Sequence, residues 1–399
     1  MNVFIPKYLL EDVELNMTEV SNDIICRVEV VEADTETVAP MKPFDPNKIS
    51  LQVKQPTIDN IMKRLMADPP EIDLHTTFQR SGDLWGIGQK SRLIESLLLR
   101  IPLPVFYFDG TNDDKWLVVD GLQRLTAFYE YMGLKSFKLK GLEYLMDFEN
   151  HSFLELPRNM QRRIEETQVT AYIIQPGTPE DVKFNIFKRI NTGGLPLSPQ
   201  EIRHALNQGI PAEFLQKLAA KPEFEKIFEK IAKERMEDRE FVLRFLSFYL
   251  LGYQVYEPDM DDFLNQGMKR LAEISEEKRE DCEKKFILSM ERNHKLFGKY
   301  VFRKILTKDG KRRRGPLNKA LFDVWSVYMA DLPDIEYDVL CRLKKNLFDE
   351  FIHLLSTDKT FERSITSGTG GKIEVNVRFT KIQEMIGGVL EYAKENNIG

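Results

Sequence analysis

Between Asp120 and Arg124 the chain reads Asp-Gly-Leu-Gln-Arg, which sets a carboxylate, a glycine, an amide and a guanidinium within one turn of chain. Asp120 can hold a divalent ion such as Mg or accept a proton, and Gln123 can orient a water. Arg124 can grip phosphate oxygens through two parallel N–H groups. Gly121 stands where a strand, Trp116 to Val119, meets a helical pattern. A helix start leaves N–H groups unpaired and carries partial positive charge, so a glycine there lets an anion approach the backbone. These are the parts of a phosphate site, with Asp120, Gln123 and Arg124 as catalytic candidates and Asp120 as the metal ligand. The plainer reading makes Asp120 a helix cap, Gly121 a turn residue and Arg124 a surface charge. Residue types alone leave both open.

Two further clusters carry polar groups of the same kind. Thr77-Phe78-Gln79-Arg80 follows an alternating Ile72-Asp73-Leu74 stretch, with Trp85 beyond it as an expected core residue. Phe187-Lys188-Arg189-Ile190-Asn191-Thr192-Gly193-Gly194 reads as a last helical turn, where basic residues suit the dipole and Asn191 suits the cap without any ligand. A third run, Lys308 with Lys311, Arg312, Arg313 and Arg314, is expected in a loop closed by Gly315-Pro316. It is a candidate DNA-backbone contact, although solvated charge is the ordinary meaning of such a run.

The elements that must position these residues are legible from period and punctuation. Thr57 is an N-cap for a helix with Ile58, Ile61, Met62 and Leu65 on one face. Gln89 to Arg100 is a second helix, stopped by Pro102 and Pro104. Val105–Phe108 and Trp116–Val119 form a hairpin about the turn residues 109–114, and a helix runs from Leu125 to Met132. Val169–Ile174 is another strand. Thr178-Pro179-Glu180 starts a helix ending near Asn191, and Ser198-Pro199-Gln200-Glu201 starts the next as a capping box. Beyond residue 200 the pattern is helical, with buried stripes at 241–250, 317–328 and 337–355 and a Gly-rich loop at 367–371 before a final helix.

The 399 residues suit more than one core. The expected division is an acidic leader at 1–44, an α+β domain at 45–210 and an α-helical domain at 211–399. From Glu11 to Glu36 Arg27 is the one base among nine acidic residues. A net charge of −6 argues against a wholesale nucleic-acid coat. Cys26, Cys282 and Cys341 are too scattered for a disulfide framework or a metal pair, which fits a reducing compartment. Met1 to Leu10 has no signal-peptide pattern and no later stretch is apolar enough to span a bilayer. A cytoplasmic protein without membrane contact is expected.

The order Phe78-Gln79-Arg80, Lys90-Ser91-Arg92-Leu93-Ile94-Glu95-Ser96, Ile101-Pro102-Leu103-Pro104, Asp120-Gly121-Leu122-Gln123-Arg124-Leu125-Thr126 and Asn191-Thr192-Gly193-Gly194 with Leu197-Ser198 resembles the N-terminal domain of GmrSD-type restriction systems, over residues 45–210. Its helical continuation takes in Asp238-Arg239-Glu240 and Arg244. The resemblance implies a ParB/sulfiredoxin-like α+β fold, a small mixed sheet with helices followed by an all-α domain. It also implies nucleotide phosphates handled at the Asp-Gly-x-Gln-Arg turn, and a role in defence against foreign or modified DNA. By position, Gln79, Arg80, Gly121, Arg189, Asn191 and Thr192 become nucleotide-binding candidates beside Asp120, Gln123 and Arg124. The family's central motif usually has two glutamines, and Leu122 replaces the first, which leaves binding without turnover open. Related systems often add a His-Asn-His nuclease, whereas His75, His151, His204, His294 and His353 are scattered here.

The leading expectation is an NTP-binding regulator that hydrolyses its ligand with Mg. The alternatives are a DNA nickase or endonuclease using the same site, with Arg312, Arg313 and Arg314 on the duplex, and a non-catalytic module that binds a separate nuclease or effector protein.

Overall fold

The computed structural model describes residues 49–74, 85–112, 114–190, 197–229, 231, 233–308 and 311–398, together with Val28. The leader, apart from that one residue, lies outside the described part. The first half alternates strands and helices in the order β1 (Leu51–Lys54), α1 (Ile58–Leu65), β2 (Ile72–Asp73), α2 (Ile87–Leu98), β3 (Phe106–Asp109), β4 (Trp116–Asp120), α3 (Leu122–Phe128), α4 (Arg158–Glu165), β5 (Ala171–Ile174), α5 (Glu180–Ile190) and α6 (Pro199–Leu206). The expected cap is made: Thr57 Oγ1 accepts from Asn60 N at 3.3 Å, and Ile58, Ile61, Met62 and Leu65 are buried.

The strands form one mixed sheet in the order β1-β5-β3-β4-β2. The hairpin β3–β4 and the edge pair β1–β5 are antiparallel, while β3–β5 and β2–β4 are parallel. Alternation along each strand divides the side chains between two faces. Phe106, Phe108, Trp116, Val118, Ala171 and Ile173 join α1 to α4 in one core, with Trp85 packed at its margin. Val119 and Ile174 face α5 and α6, where they meet Phe184, Phe187 and Ile202. A small mixed sheet between helices is the α+β architecture expected.

One helix begins earlier than its apolar pattern indicates. α3 starts at Leu122 rather than Leu125, because Gly121 turns the chain at φ +102° and its carbonyl already accepts from Leu125 N at 2.9 Å. It then widens into a π-helical turn over Tyr129–Leu134.

The second half is built from α7 (Ile210–Ala219), α8 (Pro222–Phe228), α9 (Glu237–Leu251), α10 (Met260–Glu273) and α11 (Glu276–Phe297), then a hairpin of β6 (Arg303–Lys308) and β7 (Lys311–Leu317), then α12 (Lys319–Asp331), α13 (Asp334–Arg342), α14 (Lys344–Thr357), α15 (Lys359–Thr366) and α16 (Lys372–Glu395). The hairpin corrects the expected basic loop. Lys311 to Arg314 belong to a strand whose charged side chains hide its period, and Pro316 is tolerated because it stands opposite a break in the β6–β7 register. Val28 bridges to Leu317 in parallel. The stripe over 337–355 is two helices, because Leu343, at ψ 25°, breaks the turn between them.

Asp323 of α12 is the buried pivot of this half. Arg244 of α9 donates to both its oxygens, at 2.7 and 2.6 Å, and Arg378 of α16 donates to Oδ2 at 2.9 Å. Burying a carboxylate this deeply is costly, and its several donors offset that cost. Among the described residues no helix is long and apolar enough to cross a membrane.

Candidate functional site

Asp120 closes β4, opposite Tyr107 of β3. Gly121 then serves two needs. Its left-handed backbone excludes most side chains, and a Cβ added there would stand 2.4 Å from the Phe106 ring. The room that glycine leaves is therefore taken up by Phe106 on that side. α3, at seven residues, offers little dipole for an anion.

Arg124 is committed inward. Its guanidinium lies 4.3 Å from the Phe106 ring centre, is 8% exposed, and donates to Pro104 O, to Val105 O at 3.1 Å and to Asp120 Oδ2 at 2.7 Å. It thereby ties the chain entering β3 to the turn leaving β4. Burial pushes the Asp120 carboxyl above its usual range, against the pull of Arg124 and of the Gly121 N–H. Burial likewise lowers Arg124, with Asp120 opposing. Tyr107 stacks on Tyr172 at 5.2 Å, and its hydroxyl is raised by burial, then by Tyr172 and Asp120.

Gln123 is different. Its Oε1 is buried and has no hydrogen-bond partner among the described residues. A buried amide oxygen left unmatched is uncommon in a folded protein.

The described strands and helix around the turn run as follows. β2 runs parallel to β4, so both strands head toward Asp120. α5 starts at the opposite end, where Lys183 Nζ lies 3.4 Å from Asp109, and Phe187 packs in one cluster with Val119, the neighbour of Asp120. Arg189, on the exposed last turn of α5, follows Phe187. Gln79, Arg80, Asn191 and Thr192 lie outside the described residues. Arg313 and Arg314 are exposed on β7 in the other half, and the side chain of Arg312 is outside the described part. Among the described residues no group of three or more His, Cys, Asp or Glu could enclose a metal, so Asp120 would contribute a single ligand. One carboxylate with phosphate oxygens and waters is a donor set Mg accepts.

A polar layer on α6 escapes sequence reasoning. Gln200, Glu201, Arg203 and His204 are all buried. Arg203 donates to Asp261 and, at 3.2 Å, to Asn265 of α10, and Lys188 of α5 donates to Asp261 at 2.7 Å. His204 sits 3.2 Å from Arg239 of α9, and burial together with that guanidinium lowers it to about 4. Glu240, in the same stretch, accepts from Lys319 at 2.9 Å. In the sequence Gln200 and Glu201 belong to a capping box, and nothing there marks Arg203 and His204 as buried. They are inside because α6 is gripped between the two halves.

No curated protein matches the chain. A solved structure of a Pnob8-like ParB-N domain is 14% identical and covers 85% of this chain and 98% of its own, at a TM-score of 0.22, too loose a superposition to bear on the fold. Residues 72–208 match the family model of the GmrSD restriction endonuclease N-terminal domain, and this stretch holds β3, β4, the Asp120 turn, α5 and α6. Over these residues, about a third of the chain, the sequence is similar to the GmrSD N-terminal domain.

Proposed function

We propose that the turn at Asp120 is a nucleotide-responsive centre that binds a nucleoside triphosphate with Mg and hydrolyses it, serving as the sensor of a restriction-type defence against foreign or modified DNA. The observation that carries the reading is the buried, unmatched Oε1 of Gln123, one residue from the Asp120–Arg124 pair and inside the matched segment. A water or a ligand hydroxyl is the donor such an oxygen lacks. Asp120 is the oxygen that receives its proton or meets the ion, and its raised carboxyl makes it a better base than a surface aspartate. Arg124 acts as a positioning residue, since its donors are already spent on Pro104, Val105 and Asp120. Phosphate charge falls to Arg80 and Arg189, the cations that the family resemblance assigns to the nucleotide. Positioning and charge neutralisation are sufficient for phosphoryl transfer to water.

Thermal unfolding and phosphate release with a panel of NTPs and Mg test this, comparing wild type with Gln123→Ala and Asp120→Asn. Stabilisation and turnover in wild type, lost in Gln123→Ala while its ligand-free melting holds, and lost also in Asp120→Asn, whose ligand-free melting falls because Arg124 loses its charged partner, is the expected result. Absence of any shift with any nucleotide sinks the reading. A second reading, duplex binding, is favoured by Arg313 and Arg314 standing exposed on β7, and its signature is affinity that falls steeply with salt.

A further inference from the structure

Beside α1 a cavity of 360 Å³ opens over the sheet, with Lys54, Asn60, Lys63 and Arg64 at its rim and Phe108 and Trp116 at its floor. Among the described residues no acidic side chain lines it. Arg64 lies 4.2 Å from the centre of the Trp116 ring and Lys54 Nζ 5.2 Å from it. A guanidinium resting over a ring keeps N–H donors for a phosphate. Lys63 pairs with Asp59 at 2.7 Å and Arg64 with Glu71 at 3.1 Å, but both pairs are open to water and are held weakly. Among the described residues, Lys54 meets the ring of Trp116 and no carboxylate.

We infer that this cavity is a second ligand site, which takes a small phosphorylated molecule with a flat apolar body. The phosphate sits among Lys54, Lys63 and Arg64, the body lies along Ile61, Ile72 and Phe108, and the Asn60 amide meets a polar edge. The size is at the lower end of small-molecule pockets, and the combination of an apolar floor with a few convergent polar groups is their usual make-up. The site is separate from the Asp120 turn: Trp116 and Asp120 are the two ends of β4, about 13 Å apart at the rise of a strand. It stands whether or not that turn handles nucleotides.

Calorimetry with AMP, inorganic phosphate and adenosine on the full chain tests the site, using wild type, the Lys54→Ala/Lys63→Ala double variant and Asp120→Asn. Both lysines are exposed, so the double variant keeps its fold, which its melting temperature verifies. AMP is expected to bind about tenfold more tightly than either fragment, to weaken about tenfold in the double variant, and to be unaffected by Asp120→Asn. Its binding should also change the tryptophan fluorescence in wild type and not in Trp116→Phe. Absence of AMP binding, or binding untouched by the lysine changes, overturns the proposal. Loss in Asp120→Asn alone assigns AMP to the turn, which also overturns it while leaving the nucleotide reading of the turn intact. Equal affinity for phosphate and AMP removes the apolar floor from the ligand's recognition and overturns the class proposed.

Discussion

Asp261 of α10 accepts hydrogen bonds from Lys188 of α5 and from Arg203 of α6. One carboxylate thus joins the last turn of the helix that carries Arg189 to the buried face of the helix that follows it. Burial opposes its ionisation, but Arg203 and Lys188 outweigh that and hold it below the usual range. Any shift of α5 that reaches Lys188 is felt in α10, in the other half of the molecule.

Replacing Asp261 with Asn should lower stability by about 3 kcal/mol, because Arg203, 1% exposed, is left as a buried charge with weakened pairing. Urea unfolding measures it. A loss under about 0.5 kcal/mol would show that Asn265 and Gln200 suffice to hold Arg203.

His204 gives a pH dependence of definite sign. Its folded value, about 4, is below the ordinary one, so between roughly 6.5 and 4 the unfolded chain takes up a proton that the folded chain refuses. Stability should therefore fall as pH drops through that window, by up to about 3 kcal/mol. His204→Gln should flatten the slope there, read from urea midpoints at pH 7 and 4.5. An unchanged slope would mean that the imidazole gains a compensating partner on protonation.

Gly121→Ala should destabilise by about 2–4 kcal/mol, from the left-handed backbone and from the clash with Phe106. Phe106→Leu in the same chain should restore part of the loss by making room. Thermal midpoints of the two single variants and the pair reveal the coupling, and strict additivity would show that the ring is not what excludes the methyl.

Arg124→Ala should cost about 3 kcal/mol, since Asp120 loses its partner and the Pro104 and Val105 carbonyls lose their donor. Arg124→Lys should not recover it, because one ammonium cannot reproduce the fork. Activity lost in these variants must be read against circular dichroism, whereas Gln123→Ala leaves the brace intact and is the cleaner probe. If Arg124→Ala melts like wild type, the brace is dispensable and the arginine is free to meet ligand.

Local chemistry was readable in the sequence wherever a few adjacent residues decide the outcome. Thr57 and Ser198 announce their helices by hydroxyls that cap them, and Phe106–Phe108 and Trp116–Val119 announce a hairpin by alternation about a turn. Pairings between distant segments were not. Leu51–Lys54 has neither strong alternation nor burial, and becomes a strand only because β5, some 120 residues later, offers an open edge. The site divides in the same way. The types at Asp120, Gln123 and Arg124 were visible, but not that Arg124 points inward, since its acceptors are carbonyls that a sequence does not distinguish. The buried polar face of α6 was hidden for the same reason: what covers Arg203 and His204 comes from α9 and α10.

The shared use of Asp323 has a bearing on how the chain is made. Arg244 and Asp323 leave the ribosome well before Arg378, the third member, whose helix packs across α12. Until that last arginine is synthesised, the paired ions lack a donor and the core around them lacks a wall. The helical half therefore matures only once α16 has emerged, and its nascent form before then is a natural client for chaperones and proteases.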